Sequence, residues 1–251
     1  MRFALKNWAA WAPGREQGSD WEAWARSEVP EATQGEPAVP MVPAMLRRRA
    51  DRLGRMALRV AYEALGERRG LPVVFVSAHG SVTRSASLLE ELAAGVPLSP
   101  AGFASSVHNA ATGLLGIARE DRAPCSALAA GDASVLAMLT EVAGFHADGY
   151  DEVLGILCDE EVPAYYAPYL DWPPSSAAWA GVIARGDVPA DVSAQTSDIR
   201  MRFSATVDSP SHEFPAGSEE PLLAWIRWLL GTEPTLHCPG LGGSWRLERA
   251  D

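Results

Sequence analysis

The chain has 251 residues, 47% of them hydrophobic and 21% charged, which suits one large or two small globular domains and excludes wholesale disorder. Its formal net charge of −11 argues against phosphate backbones as partners, because those need clustered Lys and Arg. The opening MRFALKNWAAWAPG is too short and polar for a signal peptide. No run of about 18 apolar residues is present to span a membrane.

Residues 2–11 alternate loosely and end at Pro13-Gly14, which predicts a short strand and a turn. Asp20 is expected to cap a short Trp-rich helix over 21–26. The proline-rich stretch 28–43 reads as an irregular loop. Residues 45–65 carry the clearest helical period, with Leu46, Leu53, Met56, Leu58, Val60, Ala61 and Leu65 on one side. Arg47, Arg48, Arg49, Arg52, Arg55 and Arg59 form the opposite, solvated face, and Gly66 and Gly70 close the helix. Residues 71–77 (LPVVFVS) have the look of a strand buried on both faces.

A turn at His79-Gly80-Ser81 leads into a helix over 83–94, ended by Gly95. The small-residue stretch 103–118 reads as one close-packed helix, and 126–130 as a short strand. A helix over 132–145 begins at the carboxylate of Asp132, which suits a helix N-terminus. Residues 150–158 (YDEVLGILC) form another buried strand, with further strands over 177–185 and 199–207. A helix over 219–230 carries Trp225 and Trp228, and 245–247 reads as a final edge strand. Strands alternate with helices through residue 158, so the fold class is α/β with helices over a mostly parallel sheet.

Several side chains invite a chemical reading. The three cysteines, Cys125, Cys158 and Cys238, are odd in number and lack zinc spacing, which points to a reducing cytoplasm. Cys125 and Cys158 read as small buried hydrophobes. His79 and His108 are expected to make structural hydrogen bonds, whereas His212 and His237 lie in irregular segments as surface or loop residues. Ser81, Thr83, Ser85 and Ser106 lie near histidines, but the Gly-x-Ser-x-Gly elbow of a hydrolase is absent. No phosphate loop or dinucleotide fingerprint is visible, so no metal or nucleotide cofactor is implied. Trp172, Trp179, Trp225 and Trp228 are core residues by default, with an obligate interface as the alternative.

Residues 97–139, PLSPAGFASSVHNAATGLLGIAREDRAPCSALAAGDASVLAML, resemble the central part of β-ketoacyl synthases. More closely they resemble the short ketosynthase-like proteins of aryl polyene clusters described as chain length factors. WAAWAPG, MLRRRADRLGRMAL, VSAHGSVTRSASLLEELAAGVPLSP and EEPLLAWIRWLL agree with that family; the likeness is weakest over 160–218. The resemblance implies a truncated thiolase-like fold: one βαβαβ half with a mixed sheet over residues 1–185, then a small extension, 186–251, on the same core. It places the nucleophile position at Asp132, which would form a mixed anhydride instead of a stable acyl thioester, and the His-Gly-Thr-Gly-Thr motif is absent. The family's tunnel segment falls on 103–113, making Phe103, Ser106, Val107, His108, Asn109 and Thr112 acyl-tunnel or interface positions. Close helix packing across an interface explains the same small residues equally well.

The function implied is a non-catalytic partner of a catalytic ketosynthase subunit, with acyl carrier protein visiting through that partner. The alternatives are a minimal acyltransferase or ketosynthase acting through Cys125 or a histidine, and an acyl-binding scaffold.

Overall fold

The computed structural model describes residues 2–26, 35–170, 175–186, 200–206, 220–240 and 243–250. Its strands are β1 (Arg2–Trp11), β2 (Val73–Val76), β3 (Cys125–Leu128), β4 (Glu152–Asp159), β5 (Ala177–Arg185), β6 (Arg200–Thr206), β7 (Thr235–Gly240) and β8 (Gly243–Ala250). Its helices are α1 (Gly18–Ala25), α2 (Ala44–Arg47), α3 (Arg52–Leu65), α4 (Val82–Ala93), α5 (Pro100–Ser105), α6 (Ala110–Arg119), α7 (Ser134–Ala147) and α8 (Pro221–Leu230).

The strands form one sheet in the order β3-β2-β4-β5-β1-β6-β8-β7. Among the described residues, only β2–β3 and β2–β4 pair in parallel; every other pairing is antiparallel. The sheet is therefore mixed, as the resemblance implies, and the mostly parallel sheet expected from the alternation of strands and helices is corrected. Parallel neighbours need helical crossovers, and α4 to α7 supply them only among β2, β3 and β4. The link from β4 to β5 holds no α-helix among its described residues, and β5 returns antiparallel.

Strands β4 and β5 are buried on both faces, as their near-continuous apolar sequences require. Val153, Leu157, Trp179 and Ile183 point into one core with Trp21, Trp24, Val135, Met138, Trp225 and Ile226, so that face meets α1, α7 and α8. Leu154, Ile156, Cys158, Ala180 and Val182 point into the other, with Leu53, Met56, Val60 and Leu114 of α3 and α6. The result is three layers, helix on sheet on helix.

Two predicted helices are each broken in two. The 45–65 helix stops after Arg47 and restarts at Arg52, because the Asp51 side chain accepts from Gly54 N at 2.8 Å and caps a new N-terminus. The arginines beyond the break do more than face solvent: Arg52, Arg55 and Arg59 donate to the carbonyls of Gly35, Arg47 and Ala38, and Arg59 pairs with Glu63 at 2.6 Å. The 103–118 helix is interrupted at 106–109, where the Ser105 and Ser106 hydroxyls turn back to the carbonyls of Gly102 and Phe103.

Other expectations shift locally. Asp20 lies inside α1, where its carboxylate accepts the N–H groups of Glu16 and Gln17, and Gln17 takes the cap position. The 245–247 strand is the middle of β8, which is not an edge; the edge is β7, a strand disguised by Pro239. Trp179, Trp225 and Trp228 are core residues, whereas Trp172 lies outside the described residues.

Trp179 meets Trp225 edge-on at 5.3 Å, and Gly181 makes room for it: a Cβ there would sit 2.6 Å from the Trp179 ring and 2.7 Å from Leu5 Cδ1. Trp179→Ala is expected to lower stability by about 3–5 kcal/mol in urea unfolding and Gly181→Ala by about 1–3 kcal/mol, against less than about 0.5 kcal/mol for Leu89→Ala on the surface.

Candidate functional site

The carboxyl ends of β2, β3 and β4 lie side by side, the edge at which open α/β sheets hold their ligands. Beyond β3 the chain makes a 3-10 turn, Gly131–Ala133, and enters α7 at Ser134. Asp132 occupies this turn, half-buried; it leads into the helix, as expected, but makes no capping hydrogen bond. The Ser134 hydroxyl donates to the Gly131 carbonyl at 2.6 Å, and β7 packs over the turn and over α7.

His108 stands against the same edge. Its Nε2 lies 2.7 Å from the Leu128 carbonyl at the end of β3, so Nε2 carries the proton and donates, and the ring meets Phe75 edge-on at 5.6 Å. The structural hydrogen bond expected of His108 is thus present. Nδ1 faces Gly80, where a Cβ would come within 2.7 Å and where φ is +59°; glycine is required on both counts. The His79 ring, by contrast, makes no hydrogen bond among the described residues, and burial pushes its pKa down. Its main chain takes the structural role, with its N–H directed at Asp159.

Asp159 ends β4 in the core. Its Oδ1 accepts from the Ser77 hydroxyl at 2.9 Å and from Ala78 N at 2.8 Å, and Ser77 Oγ in turn accepts from Gly80 N at 2.8 Å. Burial outweighs these bonds and raises the Asp159 pKa from 3.8 to about 6. Glu160 beside it is raised from 4.5 to about 7, by burial first and then by the charge of Asp51, with hydrogen bonds from Thr83 and the charge of Arg52 opposing. Sequence reasoning missed both residues. The available signal was an acidic run, DEE, directly after the apolar strand VLGILC.

The segment 103–112 is divided by the helix break. Phe103 and Val107 are 63% and 43% exposed, Asn109 is exposed, and Ser106 and His108 are partly covered. Thr112 is buried on α6, where its hydroxyl donates to the Asn109 carbonyl at 2.9 Å. It lines an open groove of about 620 Å³ with Leu65, Leu71, Val73, Leu115 and Ile117. Cys125 opens onto this groove and is exposed, which corrects the expectation of a buried thiol: it begins the edge strand of the sheet, which among the described residues has a neighbour on one side only. Cys158 and Cys238 are buried, and burial drives both thiol pKa values up, that of Cys238 to about 12. His237 is on the surface as expected, although on β7 instead of a loop; His212 lies outside the described residues.

Residues 21–247 match the model of the β-ketoacyl synthase N-terminal domain. The chain belongs to the β-ketoacyl synthase family. A ketosynthase in complex with its chain length factor from Xenorhabdus doucetiae superposes with a TM-score of 0.80 at 23% sequence identity, covering 99% of this chain and 100% of that one. The ishigamide ketosynthase/chain length factor gives 0.62 at 15% identity, over 82% of this chain and 68% of that one. A type II polyketide synthase acyl-carrier protein in complex with its ketosynthase bound to the hexaketide gives 0.59 at 13%, over 82% and 70%. None of the curated proteins matches the sequence. At these identities the likeness is one of fold, and the fold is that of the ketosynthase N-terminal half. Among the described residues no helix is long and apolar enough to cross a membrane, and no cluster of His, Cys, Asp and Glu has the makings of a metal site.

In this ketosynthase-like frame the two buried acids set a pH dependence. Both bind protons more tightly folded than unfolded, so between about pH 4 and pH 7 the folded chain holds more protons and stability falls as pH rises. The destabilisation is absent below about pH 4, complete above about pH 7, and amounts to ~3 kcal/mol for each group. Urea midpoints are expected to drop between pH 4.5 and pH 7.5 in the natural chain, and to drop by roughly half as much in Asp159→Asn.

Proposed function

We propose that this chain is a non-catalytic, chain-length-factor-like partner of a ketosynthase, forming a cytoplasmic heterodimer that stabilises the catalytic subunit and shapes the tunnel for its acyl or polyene product. One observation carries the reading: the strand-to-helix turn at which the family resemblance puts the nucleophile bears Asp132. A helix N-terminus activates a thiol by lowering its pKa, but a carboxylate attacking a thioester gives an anhydride that water destroys. Residues 1–185 would form the ketosynthase-like unit and 186–251 its extension.

Support for a partner comes from the β3 edge of the sheet, which has one side unpaired among the described residues, and from exposed Phe103, Val107 and Ile117 on the neighbouring helices and the break between them. An unpaired edge flanked by apolar side chains suits an obligate interface. Acyl carrier protein would reach the complex through the catalytic subunit. The rival reading, an acyltransferase using Cys125, gains from the exposure of that thiol. It loses from position, because Cys125 begins β3 and the helix N-terminus lies beyond the strand's other end.

Co-expression with the cognate ketosynthase is expected to give a co-purifying pair in which acyl thioesters load the ketosynthase alone, as read by intact-mass spectrometry. Acylation of the isolated chain, abolished by Cys125→Ala, would overturn the reading in favour of the enzyme. Thr112→Trp is expected to shorten the products of the pair by filling the groove; an unchanged chain-length distribution removes Thr112 from the tunnel.

A further inference from the structure

Ser77, the residue after β2, is fully buried and ties three strand ends together. Its hydroxyl donates to Asp159 Oδ1 at the end of β4 at 2.9 Å, and its Oγ accepts from Gly80 N at 2.8 Å. Its N–H donates to the Leu128 carbonyl at the end of β3 at 3.2 Å. That same carbonyl takes the His108 Nε2 proton at 2.7 Å, and its two lone pairs serve both donors. The Asp159 carboxylate also accepts the N–H groups of Ala78 and His79, so the donors of the turn after β2 converge on it. With Gly80 at φ +59°, the turn is a backbone nest filled by an anion that the chain itself supplies.

We propose that Asp159 is a positioning residue for the partner-facing break at 106–109. Its carboxylate fixes Ser77, Ser77 and His108 share the Leu128 carbonyl, and His108 holds the break against the sheet. This rests on the partner reading of that stretch and names the residue that sets its shape. Among the described residues, His108 makes the only side-chain hydrogen bond from the break to the sheet, since the Ser106 hydroxyl turns back to the Phe103 carbonyl. Two packing contacts complete the seat of the ring. Phe75 of β2 meets it edge-on at 5.6 Å, and Gly80 lies so close that a Cβ there would come within 2.7 Å of Nδ1. Gly80 is itself held by Ser77 Oγ. Without the carboxylate, the Ser77 hydroxyl and the N–H groups of Ala78 and His79 lose their acceptor in a buried place, and the turn must rearrange to find others. His108 then loses the wall at Gly80 and the fixed neighbour at Leu128. Exposed Val107, beside it in the break, loses its set position. A surface held in place before contact binds more tightly than one that must be ordered on contact.

The test compares the natural full chain with Asp159→Ala, each with and without formate, a free carboxylate small enough for the space that the truncation vacates. Amide hydrogen exchange is read over 77–83 and 103–112 against peptides from β5. Asp159→Ala is expected to lower protection over both segments by at least about tenfold more than over β5. Capture of the ketosynthase is expected to weaken by about tenfold. Formate is expected to restore both in the variant and to leave the natural chain unchanged. Ser77→Ala serves where Asp159→Ala fails to fold: it keeps the carboxylate but releases Gly80, and is expected to loosen 103–112 with no response to formate. The positioning role is overturned if 103–112 exchanges only in step with β5 in both variants, or if formate restores nothing in a folded Asp159→Ala chain. It is equally overturned if a variant with a loosened 103–112 captures the ketosynthase as well as the natural chain does. A natural chain that captures no ketosynthase sinks the partner reading instead, and the exchange and formate results then decide the hold of Asp159 on the break by themselves.

Discussion

Strands β4 and β5 pair along their whole lengths, Glu152 opposite Ala184 through Asp159 opposite Ala177, and both are buried on both faces. Each fully buried Val, Leu or Ile in them contributes about 1.5–3 kcal/mol of transfer free energy, against about 0.5–1.5 kcal/mol for a typical neutral hydrogen bond. The rest of the architecture is attached to this pair. On the β4 side the chain adds parallel strands through helical crossovers; on the β5 side it adds β1 and the C-terminal strands antiparallel. The two helical layers exist because both faces of the pair demand covering.

The same burial explains the chemistry at the carboxyl edge. A strand driven deep into the core carries the residues at its end into a low-dielectric place, and at the end of β4 those residues are acidic. Asp159 is accommodated because loop donors converge on it, and that convergence fixes the loop against His108. The turn after β3 is held by a different set of contacts, from Ser134 and β7. The site is thus a junction of three strand ends, at which Asp159 is held by Ser77 and Ala78, and His108 by the Leu128 carbonyl.

Much of the fold was legible because its signals are local. LPVVFVS, YDEVLGILC and AAWAGVIAR announce buried strands by composition, and Gly95 marks the end of α4 by its left-handed conformation. The breaks in the two long helices were not legible, because a cap such as Asp51 competes with helix continuation by about 1 kcal/mol, a margin that tertiary contacts decide. β7 was hidden because a strand at a sheet edge needs neither alternation nor freedom from proline. Cys125 was misread because its exposure depends on β3 being an edge, a property of strand order and not of the strand.

The sequence by itself determined the family, the α/β class, the acid at the strand-to-helix turn and the histidine in the small-residue segment, since each is written in residue identity and short-range spacing. Only the tertiary structure decided the mixed strand order, the exposure of Cys125 and the meeting of Asp159 with Ser77, 82 residues apart in the chain. Those depend on which segments become neighbours once both faces of β4 and β5 are covered, and that choice is made by packing over the whole molecule.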